Sequence, residues 1–157
     1  MTAATFVEVD PQGADALALL REAAIEARAL YPDLLDPDGP WPTNGPTPPG
    51  GVYLLAYVDG AALACGAIRP LERGVAEVRR MFVTRSARRR GLARQMLREL
   101  EARALGLGHA VLRLETGHRQ RPAIRLYESE GFVPIPAFGA YAGDPTSVCF
   151  EKRIAGG

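Results

Sequence analysis

The stretch Glu77-Val78-Arg79-Arg80-Met81-Phe82-Val83, followed four residues later by Arg88-Arg89-Arg90-Gly91-Leu92-Ala93, decides the fold. Its first half lies in a run of strand-favouring residues, predicted to be extended over 75–83. Its second half opens a helix reaching to about Leu105, with Leu92, Met96, Leu97, Leu100 and Ala104 along one seam. Gly106 and Gly108 stop that helix. A strand that runs through a glycine-containing loop into a helix leaves the first helical N–H groups without acceptors and the helix end partly positive. Gly91 lets the backbone approach a ligand closely, and three consecutive arginines add cationic donors. Together these features suit a pyrophosphate. The loop has neither the Gly-Lys-Ser/Thr of a Walker loop nor the Gly-x-Gly-x-x-Gly of a dinucleotide fold. The competing reading is a solvated basic helix start. Arg90, Arg94 and Arg98 form an i, i+4, i+8 stripe of like charges with only Glu101 near in sequence, so an anionic partner explains it better.

Working outward, residues 61–69 and 52–58 read as strands joined by the hairpin signal Asp59-Gly60, and a turn near 72–74 links them to 75–83. Residues 5–10 read as a short strand stopped by Pro11. Residues 15–30, with Leu17, Leu20, Ala24 and Ala27 at helical spacing, read as an amphipathic helix. Between that helix and the hairpin, residues 32–49 hold seven prolines, so an irregular loop is expected, of the kind that serves as a lid. Trp41, the sole tryptophan, sits in it, either pinning the loop or touching substrate. Downstream, 110–115 reads as a strand and Pro122 starts a helix that Gly131 ends. Residues 132–136 and 147–154 are the last strands. The order β-α-loop-β-β-β-α-β-α-β-β is α/β with a mixed sheet.

The chain has 157 residues and a formal net charge of +1, one domain's worth of ordinary globular composition with 47% hydrophobic and 24% charged residues. The charge is uneven. Residues 79–103 hold nine arginines against two glutamates, a local +7, which leaves −6 for the rest. That remainder is expected to favour a cationic acceptor. Aromatic residues are not interleaved with these arginines except Phe82, which argues against nucleic acid. No signal peptide and no membrane-length apolar run is seen, so a cytoplasmic, non-membrane protein is expected. Cys65 and Cys149 read as buried thiols. His109 and His118 read as surface histidines, and two histidines supply no ligand cluster for a metal.

The pattern Arg88-x-x-Gly91-x-Ala93 resembles the Gln/Arg-x-x-Gly-x-Gly/Ala acetyl-CoA motif of the GNAT N-acetyltransferase superfamily. The downstream run Ala123-Ile124-Arg125-Leu126-Tyr127-Glu128-Ser129-Glu130-Gly131-Phe132 is similar to the family's Ala-x-x-x-Tyr…Gly-Phe ending, and the element order matches across residues 5–154. The resemblance implies the GNAT fold, a mixed, mostly antiparallel sheet of six or seven strands flanked by helices. It implies acetyl-CoA as cosubstrate, no metal, and transfer to a primary amine of a small molecule or peptide. A non-catalytic acyl-CoA sensor of the same fold is the alternative, and a homodimer is a family expectation.

Carried over by position, the resemblance assigns the cofactor to Met81, Phe82 and Val83 on the strand, Arg88, Arg89, Arg90, Gly91, Leu92, Ala93 and Arg94 at the turn, and Gln120. Gln120 stands where the family often has Asn, and it reaches further. Tyr127 takes the place of the acid that protonates the leaving thiolate, although its spacing from Ala123 equally suits core packing. Glu77 takes the place of the general base, directly or through water, with Glu115 as the fallback, or else it merely pairs with an arginine. The loop over 137–147 offers Tyr141, Asp144 and Ser147, with Trp41, for acceptor recognition; Asp144-Pro145 is also plain turn chemistry.

Overall fold

The computed structural model describes residues 3–156. The chain runs β1 (Thr5–Glu8), α1 (Ala14–Leu30), β2 (Val52–Val58), β3 (Ala61–Glu72), β4 (Val75–Val83), α2 (Leu92–Gly106), β5 (Val111–Gly117), α3 (Arg121–Ser129), β6 (Val133–Ile135) and β7 (Ser147–Arg153). Short 3-10 turns at Arg85–Ala87 and Gly139–Tyr141 interrupt two of the connections. The seven strands form one sheet in the order β1-β2-β3-β4-β5-β7-β6. The β4–β5 pair is parallel and the others are antiparallel, so the mixed, mostly antiparallel sheet expected from the element order is present.

Both faces of the sheet are covered, and the strands show it. In β2, Leu54 and Ala56 face one cluster while Tyr53 and Leu55 face the other, so the run is apolar without alternation. The larger cluster packs Met96, Leu97 and Leu100 of α2, all fully buried, against Ala76 and Val78 of β4 and Leu112 and Leu114 of β5. Each such leucine contributes roughly 1.5–3 kcal/mol of burial. Tyr127 of α3 and Phe132 close the same side. On the other face α1 lays Ala16 and Leu19 onto Tyr53, Leu55 and Cys65. Both cysteines are free and buried, and burial pushes the Cys65 thiol up to about 12.

Two of the departures from regular pairing bear on the candidate site. The first is a bulge in β4. Cys65 pairs with Phe82 and Ala67 with Arg79, so three steps along β4 match two along β3. Arg80 absorbs the extra residue at φ +61°, a left-handed conformation that costs about 1 kcal/mol or more for a residue with a Cβ. The Cys65 thiol donates to the Arg80 carbonyl at 3.0 Å and anchors the kink. The second departure is that β4 and β5 pair only between Val75–Val78 and Val111–Leu114. Beyond that point β4 stays bonded to β3 and β5 to β7, but not to each other, and the sheet opens as a wedge.

The proline-rich segment is an irregular loop as expected, and it is held in place. Arg28 donates to the carbonyls of Pro37, Gly39 and Pro40, and Trp41 lies between the guanidinium groups of Arg21 and Arg28 at 4.2 and 4.0 Å. The end of α1 is tied to the β5–α3 turn. Arg119 forms a two-pronged pair with Asp33, at 2.6 and 2.9 Å, and the Tyr31 hydroxyl accepts the Arg119 backbone N–H at 3.1 Å. The Arg119 guanidinium lowers the Asp33 carboxyl to about 2. Gly117 leaves room for this: a Cβ there would sit 1.9 Å from the Tyr31 hydroxyl. Gly117→Ala is therefore expected to cost about 1–3 kcal/mol and to lower Tm by roughly 3–10 °C, read by calorimetry.

His109 departs from its expected surface position. It is buried, with Nε2 2.9 Å from the Gly50 carbonyl and Nδ1 without a partner among the described residues. Residues 50 and 109 are too far apart in sequence for local pattern to reveal the contact.

Candidate active site

The wedge between β4 and β5 exposes the β5-facing backbone edge of residues 79–83 and the β4-facing edge of 115–117. Unpaired strand edges are ready to bond an extended ligand that adds itself to the sheet. At the far end of β4 the chain turns into α2. There the backbone N–H groups of residues 89–94 have no acceptor among the described residues. Arg89 at φ +65° and Gly91 at φ +76° bend these amides into a concave run, and α2 has neither a side-chain cap nor an acidic residue in its first turn. Such a nest at a helix N-terminus binds anions. The Arg89 and Arg90 side chains are exposed and have no partner among the described residues.

The structure redistributes the arginines assigned to this cradle. Arg88 is turned away: it donates to the Val83 carbonyl and pairs with Glu26 of α1 at 2.7 Å. The stripe Arg94 and Arg98 is not held by an anion from outside. Both pair with Glu130 beyond α3, at 2.7 and 2.8 Å, and lower its carboxyl below the ordinary range. Glu101, expected to offset them, pairs with Lys152 instead. These partners lie over thirty residues away, outside any local reading. The like-charge argument for an anion therefore fails at Arg94 and Arg98, and the case for the cradle rests on the amides of 89–94.

Tyr127 is buried among Phe132 and Phe150, with ring centroids at 5.9 and 6.3 Å. Its hydroxyl has no hydrogen-bond partner among the described residues. Burial raises its pKa well above the ordinary phenol. Met81 and Val83 face the α2 side with it, whereas Phe82 faces α1. Gln120 caps the start of α3, and no protein group bonds its side chain among the described residues.

A second cluster gathers on the α1 face where the strands part. Glu77 is buried, and both its oxygens are engaged. Oε1 accepts from Arg69 Nε and Nη2, at 3.1 and 2.9 Å, and Oε2 accepts from the Tyr141 hydroxyl at 2.6 Å. Burial and the Glu77 bond push Tyr141 up to about 12. Glu115 is the first β5 residue past the last β4 pair. It accepts from the Ser147 hydroxyl on Oε2 at 2.6 Å, and Oε1 has no partner among the described residues. Asp144 accepts from the Thr146 backbone and hydroxyl, at 2.9 and 2.7 Å, and acts as a turn former. Two cavities lie near the proline loop, one under its 44–48 segment and one beside α1; Trp41 lines neither, although its neighbours Pro40 and Pro42 line the second.

Those cavities, of about 520 and 510 Å³, meet at Arg80. The first, under the 44–48 segment of the proline loop, is lined by Arg69, Arg79 and Arg80 with no acidic residue. The acidic remainder of the chain puts no carboxylate on the lining of this cavity. Those acids are dispersed into pairs such as Glu8–Arg103 and Glu26–Arg88 rather than gathered at the cavity. Sequence reading missed Arg79 and Arg80 as site residues. Only the register between β3 and β4 reveals that both reach one cavity.

The acetyltransferase (GNAT) family matches residues 16–132, and the chain belongs to that family as an N-acetyltransferase. It is 41% identical over 103 residues to an IAA acetyltransferase of Azospirillum brasilense, covering 65% of this chain and 67% of that protein. A crystal structure from Klebsiella pneumoniae, named for acyl-CoA N-acyltransferase activity, superposes with TM-score 0.79 and 33% identity, over 97% of this chain and 98% of the other. A GNAT acetyltransferase of Elizabethkingia anophelis solved with acetyl-CoA bound shares the fold at TM-score 0.67 and 14% identity, over 96% of this chain and 97% of the other. No helix among the described residues is long and apolar enough to cross a membrane.

Proposed function

We propose that this chain transfers the acetyl group of acetyl-CoA directly to a primary amine at the wedge between β4 and β5. The observation that carries this reading is the loss of β4–β5 pairing past Val78 and Leu114, directly upstream of the free amides of 89–94. The amides and the exposed Arg89 and Arg90 hold the pyrophosphate. The open edge of 79–83 takes the pantetheine arm as an added strand, and its amides polarise the thioester carbonyl beside the bulge.

Two groups handle protons. An amine with a pKa near ~10 arrives mostly protonated and must lose a proton to attack. Glu115 receives it on Oε1, because both Glu77 oxygens are already committed to Arg69 and Tyr141. Glu77 thereby becomes the group that holds Tyr141 and the 138–141 turn against the site. Tyr127 faces the leaving sulfur from the other side of the sheet. A thiol of pKa ~8.5 is a better acid than a phenol whose pKa burial has raised. Tyr127 therefore stabilises the departing thiolate by donating a hydrogen bond and keeps its proton, and the second proton, shed by the attacking nitrogen as the amide forms, goes to that thiolate through solvent.

The test is a thermal-shift titration with acetyl-CoA followed by thiol release over an amine panel. Saturable stabilisation with thiol release is the expected result. Stabilisation with no turnover on any amine would indicate an acyl-CoA sensor, and no stabilisation would remove the cofactor assignment.

A further inference from the structure

The cavity under the 44–48 segment is lined by two guanidinium groups, Arg79 and Arg80, that have no carboxylate partner among the described residues. Most arginines of this chain are paired with a carboxylate or lie exposed. Among the described residues, Arg28, Arg79 and Arg80 alone are half-buried with no carboxylate partner. Arg28 spends its guanidinium on three loop carbonyls. Arg79 makes no side-chain hydrogen bond among the described residues. Arg80 makes one, from Nε to the neutral Asn44 Oδ1 at 3.0 Å, and Asn44 is itself buried and fixed by the Pro11 carbonyl. Two neighbouring guanidinium groups, partly desolvated and mutually repelling, are unfavourable unless an anion joins them.

The bulge explains why they sit side by side. Regular alternation would send residues 79 and 80 to opposite faces, but the extra residue at φ +61° turns both into the same cavity. The strain at Arg80 is thus spent on aiming a cation. The nearby acids do not neutralise it. Neither lines the cavity: Glu77 is held by Arg69 and Tyr141, and Glu115 has Ser147 on one oxygen and the other free among the described residues. The phosphate cradle is elsewhere, past the end of β4 and at the start of α2 on the opposite face of the sheet.

We propose that the acceptor is a primary amine that also bears a carboxylate, an amino-acid-like molecule whose carboxylate is bound by Arg79 and Arg80 while its amine lies toward Glu115. This rests on the acetyl-transfer reading above and names its substrate class. A planar carboxylate fits the guanidinium fork, and an amine with a positive charge elsewhere is repelled. Burial and the adjacent Arg79 both lower the Arg80 pKa, the direction expected of a cation awaiting a counter-charge.

The experiment is calorimetric binding to the enzyme–CoA complex, which does not depend on turnover. The probes are the standard amino acids, their amides, the matching decarboxylated amines and phosphoethanolamine. At least one amino acid is expected to bind about 30-fold more tightly than its amide, an effect of the size of a charge-assisted hydrogen-bond pair. Arg80→Gln and Arg79→Gln are each expected to cut that preference at least tenfold, with Tm and acetyl-CoA affinity showing that the variants are folded. Equal binding of acid and amide, tighter binding of the decarboxylated amine or of phosphoethanolamine, or no binding by any carboxylate would each overturn the assignment. Loss of acetyl-CoA binding would instead overturn the transfer reading, so the two failures are distinct.

Discussion

Tyr127→Phe is expected to lower kcat about 100-fold while leaving the affinity for acetyl-CoA within a factor of about two. The ring stays in its place against Phe132 and Phe150, so Tm is expected to move little. What is lost is one donor, and it is lost where charge develops on the departing sulfur. Because a buried phenol with a raised pKa remains neutral across the working range, the wild-type rate is expected to show no descending limb from Tyr127 below pH 10. Stopped-flow thiol detection at saturating acetyl-CoA reads the effect. An unchanged kcat with a slow product-release step excluded by burst kinetics would assign Tyr127 to packing alone.

Glu115→Gln is expected to lower kcat/KM by about 100-fold or more at neutral pH, again with acetyl-CoA affinity preserved. Glutamine keeps an oxygen for the Ser147 hydroxyl, so the local bonds survive and only the proton acceptor is removed. The sign of the pH dependence separates this from a structural effect. As pH approaches the amine pKa near ~10, the substrate brings its own free base and the variant rate is expected to converge on wild type. A constant deficit across pH would mean that Glu115 only shapes the site. Glu77→Gln is the control: it breaks the pair between the buried Glu77 carboxylate and the exposed Arg69 and weakens the Tyr141 bond, and is expected to lower Tm and raise KM without that convergence.

Much of the fold was legible because its signals are local. Asp59-Gly60 marks the hairpin, the seam from Leu92 to Ala104 marks α2, and Pro122 and Gly131 bracket α3 within a residue or two. The boundaries slipped where tertiary bonds extend an element. β3 reaches Glu72 because β4 pairs with it that far, and β5 reaches Gly117 because β7 does. The helix start slipped the other way, to Leu92, since Arg85–Ala87 close a 3-10 turn first. The turn at 89–94 and the tyrosine of α3 were legible from motif spacing; in the structure the backbone N–H groups of the first have no acceptor among the described residues and the ring of the second is buried.

The charge reading was the weakest. Counting arginines gave a local excess, but Arg88, Arg94, Arg98 and Arg103 find acids on α1, beyond α3 and on β1. None of those pairings follows from sequence spacing. Likewise nothing local distinguishes Glu77 from Glu115. Only the register, Glu77 opposite Arg113 within the pairing and Glu115 just past it, shows which carboxylate stands at the opening. The bulge at Arg80 is invisible in the sequence because it requires comparing two strands.

The central claim is that acetyl-CoA enters the wedge with its phosphates on the turn before α2. The most direct measurement is backbone amide chemical-shift mapping during titration with acetyl-CoA. The account predicts saturable shifts concentrated at residues 89–94 and along 79–83, with the amides of β1 and β6 unmoved. Shifts absent from 89–94, or centred on the cavity walls away from the wedge, would contradict it.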